Sequence, residues 1–358
     1  MKNILVVDTA AEMGGALTIL DSFYQAAKKE SKEYKWYFLV SKPEFINTDN
    51  ITVLQYAWTK KSKGHRLFFD FFVIQKLIKK LDVDVILSLQ NNAVLTRKPQ
   101  VVYVHQSIPF AEYKFLFSKD RTLWFIQNIL KISIGLSIKR ADRVVVQSNW
   151  MKSACVKATG VDENKILVLP PEANIQDVRK FRYPNKPINR FFYPAIAKEY
   201  KNHMVILRAC EVLQNAGISD YTVEFTIEAD QNDYAKELFK IVSERNYPIL
   251  FVGRLDLEEM RQRYESSVLI FPSFLETVGL PLKEACKAGG IIISADCPYA
   301  HEAIEDYKNA HYFKYDDDIA VANYMMGCMN NSIGYNDFEL LQKEHSSWEI
   351  VFKELYNV

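Results

Sequence analysis

The chain has 358 residues, of which 49% are hydrophobic and 25% charged, with a formal net charge of +1. That length exceeds one ordinary core and suits two domains. The balanced charge leaves no global field for a nucleic-acid partner, so any basic partner surface must be local.

Taken in order, Ile4-Leu5-Val6-Val7-Asp8 reads as a buried first strand. The run is too short for a leader and ends in an acid. Gly14-Gly15 reads as a turn, followed by a helix from about Ala16 to Lys29. Trp36 to Val40 reads as a strand, Phe69 to Leu81 as a helix, and Val83 to Leu89, Val101 to Val104 and Val144 to Val146 as strands. Ile126 to Ile138 is the longest apolar stretch, but Gln127, Asn128 and Lys131 interrupt it. It falls short of the roughly 20 apolar residues a bilayer span needs.

Between Pro170 and Pro187 the rhythm lapses among prolines and polar residues, which marks a linker. A second α/β rhythm follows. Its strands are Phe191 to Tyr193, Thr222 to Ile227, Ile249 to Val252, Val268 to Phe271 and Gly290 to Ser294, and Met204 to Asn215 is a helix. An amphipathic helix near Asp337 to Leu355 closes the chain. The expected division is a domain over 1–175, a linker over 176–187, a domain over 188–335 and a closing segment over 336–358. Alternating strands and helices imply parallel, doubly wound sheets that bind ligands at the carboxyl ends of their strands.

Five scattered cysteines, Cys155, Cys210, Cys286, Cys297 and Cys328, show no CxxC spacing. They argue against a disulfide framework or a structural zinc and for a reducing cytoplasm.

The chemistry concentrates in Pro272-Ser273-Phe274-Leu275-Glu276-Thr277-Val278-Gly279-Leu280-Pro281-Leu282-Lys283-Glu284-Ala285. A strand ends, a loop carries Glu276 and Gly279, and Pro281 suits a helix's first turn. Glu284 is then expected in that first turn, where backbone N–H groups and the helix dipole favour an anion. Gly279 lets the backbone approach a ligand, and Glu284 suits a ribose diol. The plainer reading is a capped helix with an acidic first turn.

Two glutamates enclosing seven residues, with Val-Gly-Leu-Pro between them, resemble the E-x7-E motif of retaining GT-B glycosyltransferases, especially family 4. Ile270-Phe271-Pro272-Ser273 and Ala285-Cys286-Lys287-Ala288-Gly289 fit the same pattern. So do the Gly14-Gly15 loop, Arg140 to Val144 leading to Ser148, Tyr200-Lys201-Asn202, and the closing helix with Trp348. The resemblance implies two Rossmann-like α/β domains facing across a cleft, with the last helix crossing back to the first domain. It implies a nucleotide-sugar donor, UDP- or GDP-linked, used as a substrate with no cofactor; no His/Cys/Asp/Glu cluster has ligand spacing, so no bound metal is expected. Glu284 would bind the ribose. Glu276, Thr277, Val278, Gly279 and Leu280 would hold the donor sugar and phosphates. Lys201 would neutralise the diphosphate, and Gly14 and Gly15 would let the first domain's loop reach the donor.

The family usually places an arginine shortly before that lysine, but Tyr193-Pro194-Ala195-Ile196-Ala197-Lys198 contains none. Lys198 or Arg254 is the candidate substitute. His105 ends a strand, and the resemblance suggests contact with the donor sugar; a buried, backbone-bonded histidine is the alternative. Gln90, Asn91 and Asn92 follow another strand end, where amides suit either sugar hydroxyls or an Asx turn. Asp82-Val83-Asp84 and Asp316-Asp317-Asp318 look like metal-binding DxD runs, but they fall where acids commonly terminate elements.

For the acceptor, residues 60–69 and 113–125 interleave basic and aromatic side chains. Such faces suit an anionic membrane surface, and so a lipid-linked glycan in surface polysaccharide (O-antigen, capsule) biosynthesis. The rivals are a GT-B epimerase or hydrolase, a non-catalytic sugar-nucleotide-binding protein, and a nicotinamide-dependent oxidoreductase. The last is disfavoured because no G-x-G-x-x-G follows the first strand.

Overall fold

The computed structural model describes residues 2–12, 14–31, 33–42, 44–171, 179–183, 187–336 and 348–358. The chain divides into two compact units, Met1–Pro171 with His345–Val358, and Glu172–Glu344.

The first unit holds strands β1 (Lys2–Asp8), β2 (Tyr34–Val40), β3 (Ile51–Gln55), β4 (Val85–Ser88), β5 (Gln100–Val104), β6 (Arg143–Val146) and β7 (Ile166–Val168). They form one parallel sheet in the order β3-β2-β1-β4-β5-β6-β7. Alternate residues of β1 feed opposite faces, as a two-residue period requires. Ile4 and Val6 join Phe23, Trp36 and Phe38 on one side, and Leu5 and Val7 join Leu39 and Ile78 on the other.

The helix Glu349–Asn357 packs on the first face. Trp348 meets Phe23 edge-on at 5.0 Å and lies 5.8 Å from Tyr103. Glu354 pairs with Arg143 at 2.8 Å. The expected start of this helix, residues 337–347, lies outside the described residues, as does half of the expected linker over 176–187.

The second unit holds β8 (Arg190–Tyr193), β9 (Thr222–Phe225), β10 (Ile249–Phe251), β11 (Val268–Phe271), β12 (Ile292–Ala295) and β13 (Ala310–Phe313). Their order is β10-β9-β8-β11-β12-β13, again parallel. Each sheet reverses its strand order once, between β1 and β4 and between β8 and β11. Those two gaps are the switch points where sheets of this kind bind ligands.

β3, β7 and β13 escape a sequence reading. All three are sheet edges with mostly half-buried residues; β3 and β13 lack a continuous apolar run, and β7 is apolar but only three residues long. The first helix spans Gly14–Ala27, so the two glycines open the helix and do not precede it. The helix expected from Phe69 starts earlier. Ser62 accepts from His65 N–H and caps Lys63–Phe68, which runs on through a π-turn at Phe69–Val73 into Ile74–Lys80.

Candidate active site

In the second unit the switch point lies between the loops after β8 and β11. β8 ends at Tyr193, whose hydroxyl donates to Lys201 O at 2.7 Å and holds the turn Glu199–Lys201. Asn202 follows in the left-handed region at φ 57°. Its amide donates to Tyr315 O at 2.7 Å and Pro272 O at 3.3 Å. Phe274 N–H donates to Tyr200 O at 3.0 Å, so the two loops are tied by backbone. Across this tie Lys201 Nζ and Glu276 Oε1 form an ion pair, with only 13% and 15% of the two side chains exposed. Ser273 Oγ donates to the same carboxylate oxygen at 2.6 Å.

Burial works against the charge on Lys201, but Glu276 outweighs it and the pKa is raised. His203, directly behind, is pushed to about 3 by burial and then by Lys201. It therefore stays neutral, packed on Tyr193 and Phe225.

The helix after this loop is Leu280–Ala288, capped by Gly279 at φ 77°. Glu284 is its fifth residue and so lies in the second turn, not in the first turn as expected. Pro281 carries no N–H, and Leu282 and Lys283 donate back to Gly279 O at 2.9 and 3.5 Å. The terminus thus offers an anion fewer N–H groups than a regular helix start. Glu284 is buried and accepts from the Tyr264 hydroxyl at 2.6 Å. Burial and then the Glu284 charge push Tyr264 well up, so it remains a donor. Val278 and Gly279 are buried while Thr277 and Leu280 are half-buried. Tyr264 is a contributor that no local motif marks, whereas Ser273 and Tyr193 fall in stretches the sequence singles out without a role assigned to either.

Lys198 and Arg254 differ in placement. Lys198, half-buried, precedes the Lys201 turn on the β8 side of the switch point. Arg254, exposed, follows Gly253 after β10, two strands from β8. At about 4.8 Å per strand that is roughly 10 Å away.

In the first unit His105 follows β5. Its N–H donates to Asn91 Oδ1 at 2.7 Å, and its Nε2 lies 3.1 Å from Leu89 O and 3.2 Å from Asn91 Nδ2. A carbonyl only accepts and an amide NH2 only donates, so these two contacts call for opposite tautomers of the ring. Burial lowers the His105 pKa and keeps the ring neutral. Asn92 Oδ1 accepts from Ser133 Oγ. Gln90 Oε1 accepts from Thr9 N–H and Oγ1, both at 3.3 Å, and from Arg66 Nη2 at 2.7 Å. Gly14 has φ 63°, and neither Gly14 nor Gly15 has a neighbour within 4 Å of an added Cβ.

The acidic runs have structural partners. Asp84 accepts from Asn3 N–H at 2.8 Å, Asp317 caps the helix Asp318–Met329, and Asp318 pairs with Arg208. Among the described residues no group of three His, Cys, Asp or Glu could hold a metal.

The basic-aromatic stretches open an outward apolar surface on the first unit. Phe68, Phe71 and Phe72 are more than half exposed, and Phe125, Ile129, Ile132 and Leu136 form a stripe at 4-3-4 spacing. Lys63 Nζ sits 5.0 Å over the Phe125 ring and joins the two groups. Lys60 instead turns inward to Ala10 O and Glu12, and Phe69 and Phe115 are core residues. No helix among the described residues is long and apolar enough to cross a membrane.

Residues 13–177 match the Glycosyltransferase Family 4 model and residues 175–342 match Glycosyl transferases group 1. The O-antigen chain mannosyltransferase RfbU of Salmonella typhimurium is 22% identical over 294 residues, covering 78% of this chain and 77% of RfbU. In fold the chain is similar to sucrose-phosphate synthase from Thermosynechococcus elongatus. That match has TM-score 0.70 and 14% identity, covering 100% of this chain and 98% of that one. It is also similar to Anabaena HepE in complex with UDP-glucose, with TM-score 0.62 and 16% identity, covering 93% and 91%. With two parallel Rossmann-like units and both halves matched in chain order, the protein belongs to the GT-B glycosyltransferases of group 1.

Proposed function

We propose that the chain transfers a sugar from a UDP- or GDP-linked donor to a glycan or lipid-linked glycan in surface polysaccharide assembly, with retention and without a resident metal. The observation that carries this reading is the buried Lys201–Glu276 pair at the second sheet's switch point, with Glu276 eight positions before Glu284, which accepts from Tyr264.

Departure of the nucleotide leaves negative charge on the diphosphate, which a preorganised cation stabilises more effectively than water does. Lys201 is that cation, and its partner Glu276 keeps it extended. Lys198 supplies the second positive charge, because Arg254 stands two strands away, where base and ribose contacts are more natural. Glu284 accepts from the ribose diol while Tyr264 orients it. Glu276 and the backbone of residues 277–280 receive the sugar. In the first unit the neutral His105 offers its ring to a sugar hydroxyl, and the unhindered Gly14-Gly15 start gives a phosphate room to approach. With retention, the acceptor enters on the face the diphosphate leaves, and a leaving phosphate oxygen takes the acceptor's proton. The exposed apolar stripe and its lysines rest on an anionic membrane, where a lipid-linked acceptor is presented.

A thermal-shift screen of UDP-, GDP- and ADP-sugars tests the donor. Proton NMR of the product anomer tests retention, and activity in the presence of chelator tests the metal. A donor consumed without any glycoside formed, or an inverted product, overturns the corresponding part.

A further inference from the structure

The first sheet has a switch point too, between β1 and β4. Thr9 follows β1 and Gln90 follows β4, so the Thr9–Gln90–Arg66 hydrogen bonds span that gap. Arg66 comes from the helix Lys63–Phe68 and is steadied by Asp70 at 2.8 Å.

Gln90 Oε1 takes three donors, whereas its amide Nε2 has no partner among the described residues. Arg66 uses Nε and Nη2 and keeps 26% of its side chain exposed, leaving Nη1 donors to spare. Beside them Asp8, 1% exposed, accepts from Ala10 and Ala11 N–H through Oδ1, while Oδ2 is buried without a hydrogen-bond partner. Directed spare donors next to an acidic acceptor suit a sugar's neighbouring hydroxyls. The next turn of the same helix carries the outward Phe68, Phe71 and Phe72.

We infer that Gln90 and Arg66, backed by Asp8 and Thr9, form the acceptor-sugar subsite at the first sheet's switch point and determine which sugar is accepted. The inference rests on the glycosyl-transfer reading above and adds the residues that select the acceptor.

Gln90→Glu separates this role from a structural one. It keeps an oxygen for Thr9 and Arg66 but removes the amide donors. Full-length protein is assayed with the sugar nucleotide it consumes and octyl glycosides of mannose, galactose and glucose. In Gln90→Glu and Arg66→Lys the acceptor KM rises about tenfold or the order of preference changes. Donor KM, acceptor-free donor hydrolysis and the melting temperature stay near native values. An unchanged acceptor KM and order in both variants overturns the assignment. The native protein supplies a second measurement. Octyl glycosides should protect Arg66 from phenylglyoxal, and unprotected modification at saturating glycoside overturns it. Absence of sugar-nucleotide consumption sinks the transferase reading instead, while Arg66 protection still decides this one.

Discussion

Lys201 and Glu276 stand 75 positions apart, yet their side chains form a buried ion pair across the gap between β8 and β11. Each neutralises the other where the fold would otherwise strand a charge. Removing one partner of such a pair typically costs about 3–5 kcal/mol. Lys201→Ala should therefore destabilise the second unit by about that amount and lower transfer at least about a hundredfold. Glu276→Gln keeps a hydrogen-bond acceptor and should fold better while also losing turnover. Urea melts and initial rates check both; native-like rates in Lys201→Ala would remove the lysine from the mechanism.

Tyr264→Phe takes one hydrogen bond from the buried Glu284. A carboxylate left short of a partner costs about 1–3 kcal/mol. The donor KM should rise about tenfold as the carboxylate loses its orientation, with little change in the rate at saturating donor. Calorimetry with the sugar nucleotide measures this, and unaltered donor affinity would separate Tyr264 from the site.

Gly279 and Gly14 both have positive φ, but their surroundings differ. A Cβ on Gly279 would sit 3.1 Å from Leu282 Cδ1 and from Tyr299 Cδ2, whereas Gly14 has nothing within 4 Å. Gly279→Ala should cost about 2–4 kcal/mol from backbone strain plus overpacking. Gly14→Ala should cost only about 1 kcal/mol. Equal losses in thermal denaturation would contradict this account.

Burial first, against two backbone N–H donors and Arg66, pushes the Asp8 carboxyl from 3.8 to about 6. A folded pKa above the unfolded one gives a contribution that is full below pH 4 and lost as pH rises through 6. Asp8→Asn cannot ionise. Its stability relative to native protein should therefore climb by about 2 kcal/mol between pH 4 and pH 7. Urea titrations at the two pH values provide the measurement, and a flat difference between them would refute the burial argument.

If the apolar stripe meets a membrane, replacing Phe68, Phe71 and Phe72 together with serine should abolish flotation with phosphatidylglycerol vesicles and leave the fold intact. These rings are already exposed, so little core packing is lost. Native binding should weaken with salt, because the lysines act through a screened field. Native protein that stays off vesicles at low salt defeats the membrane reading.

Along the chain alone, the two β-α-β units, the interior strands and the loop-into-helix segment that carries Glu276, Gly279 and Glu284 are legible. Continuous apolar runs and the Gly and Pro punctuation encode these locally. Edge strands β3 and β13 were hidden because their half-buried, partly polar residues leave no such run, and β7, though apolar, is only three residues long. Which distant residues share a site is set by the fold in three dimensions. Strand order brings the Lys201 turn to the Glu276 loop, sets Tyr264 on Glu284, and joins Arg66 to Gln90 across the first switch point. Hydrogen bonds and ion pairs act over a few ångströms in space, and parallel crossovers place those neighbours dozens of residues apart along the chain.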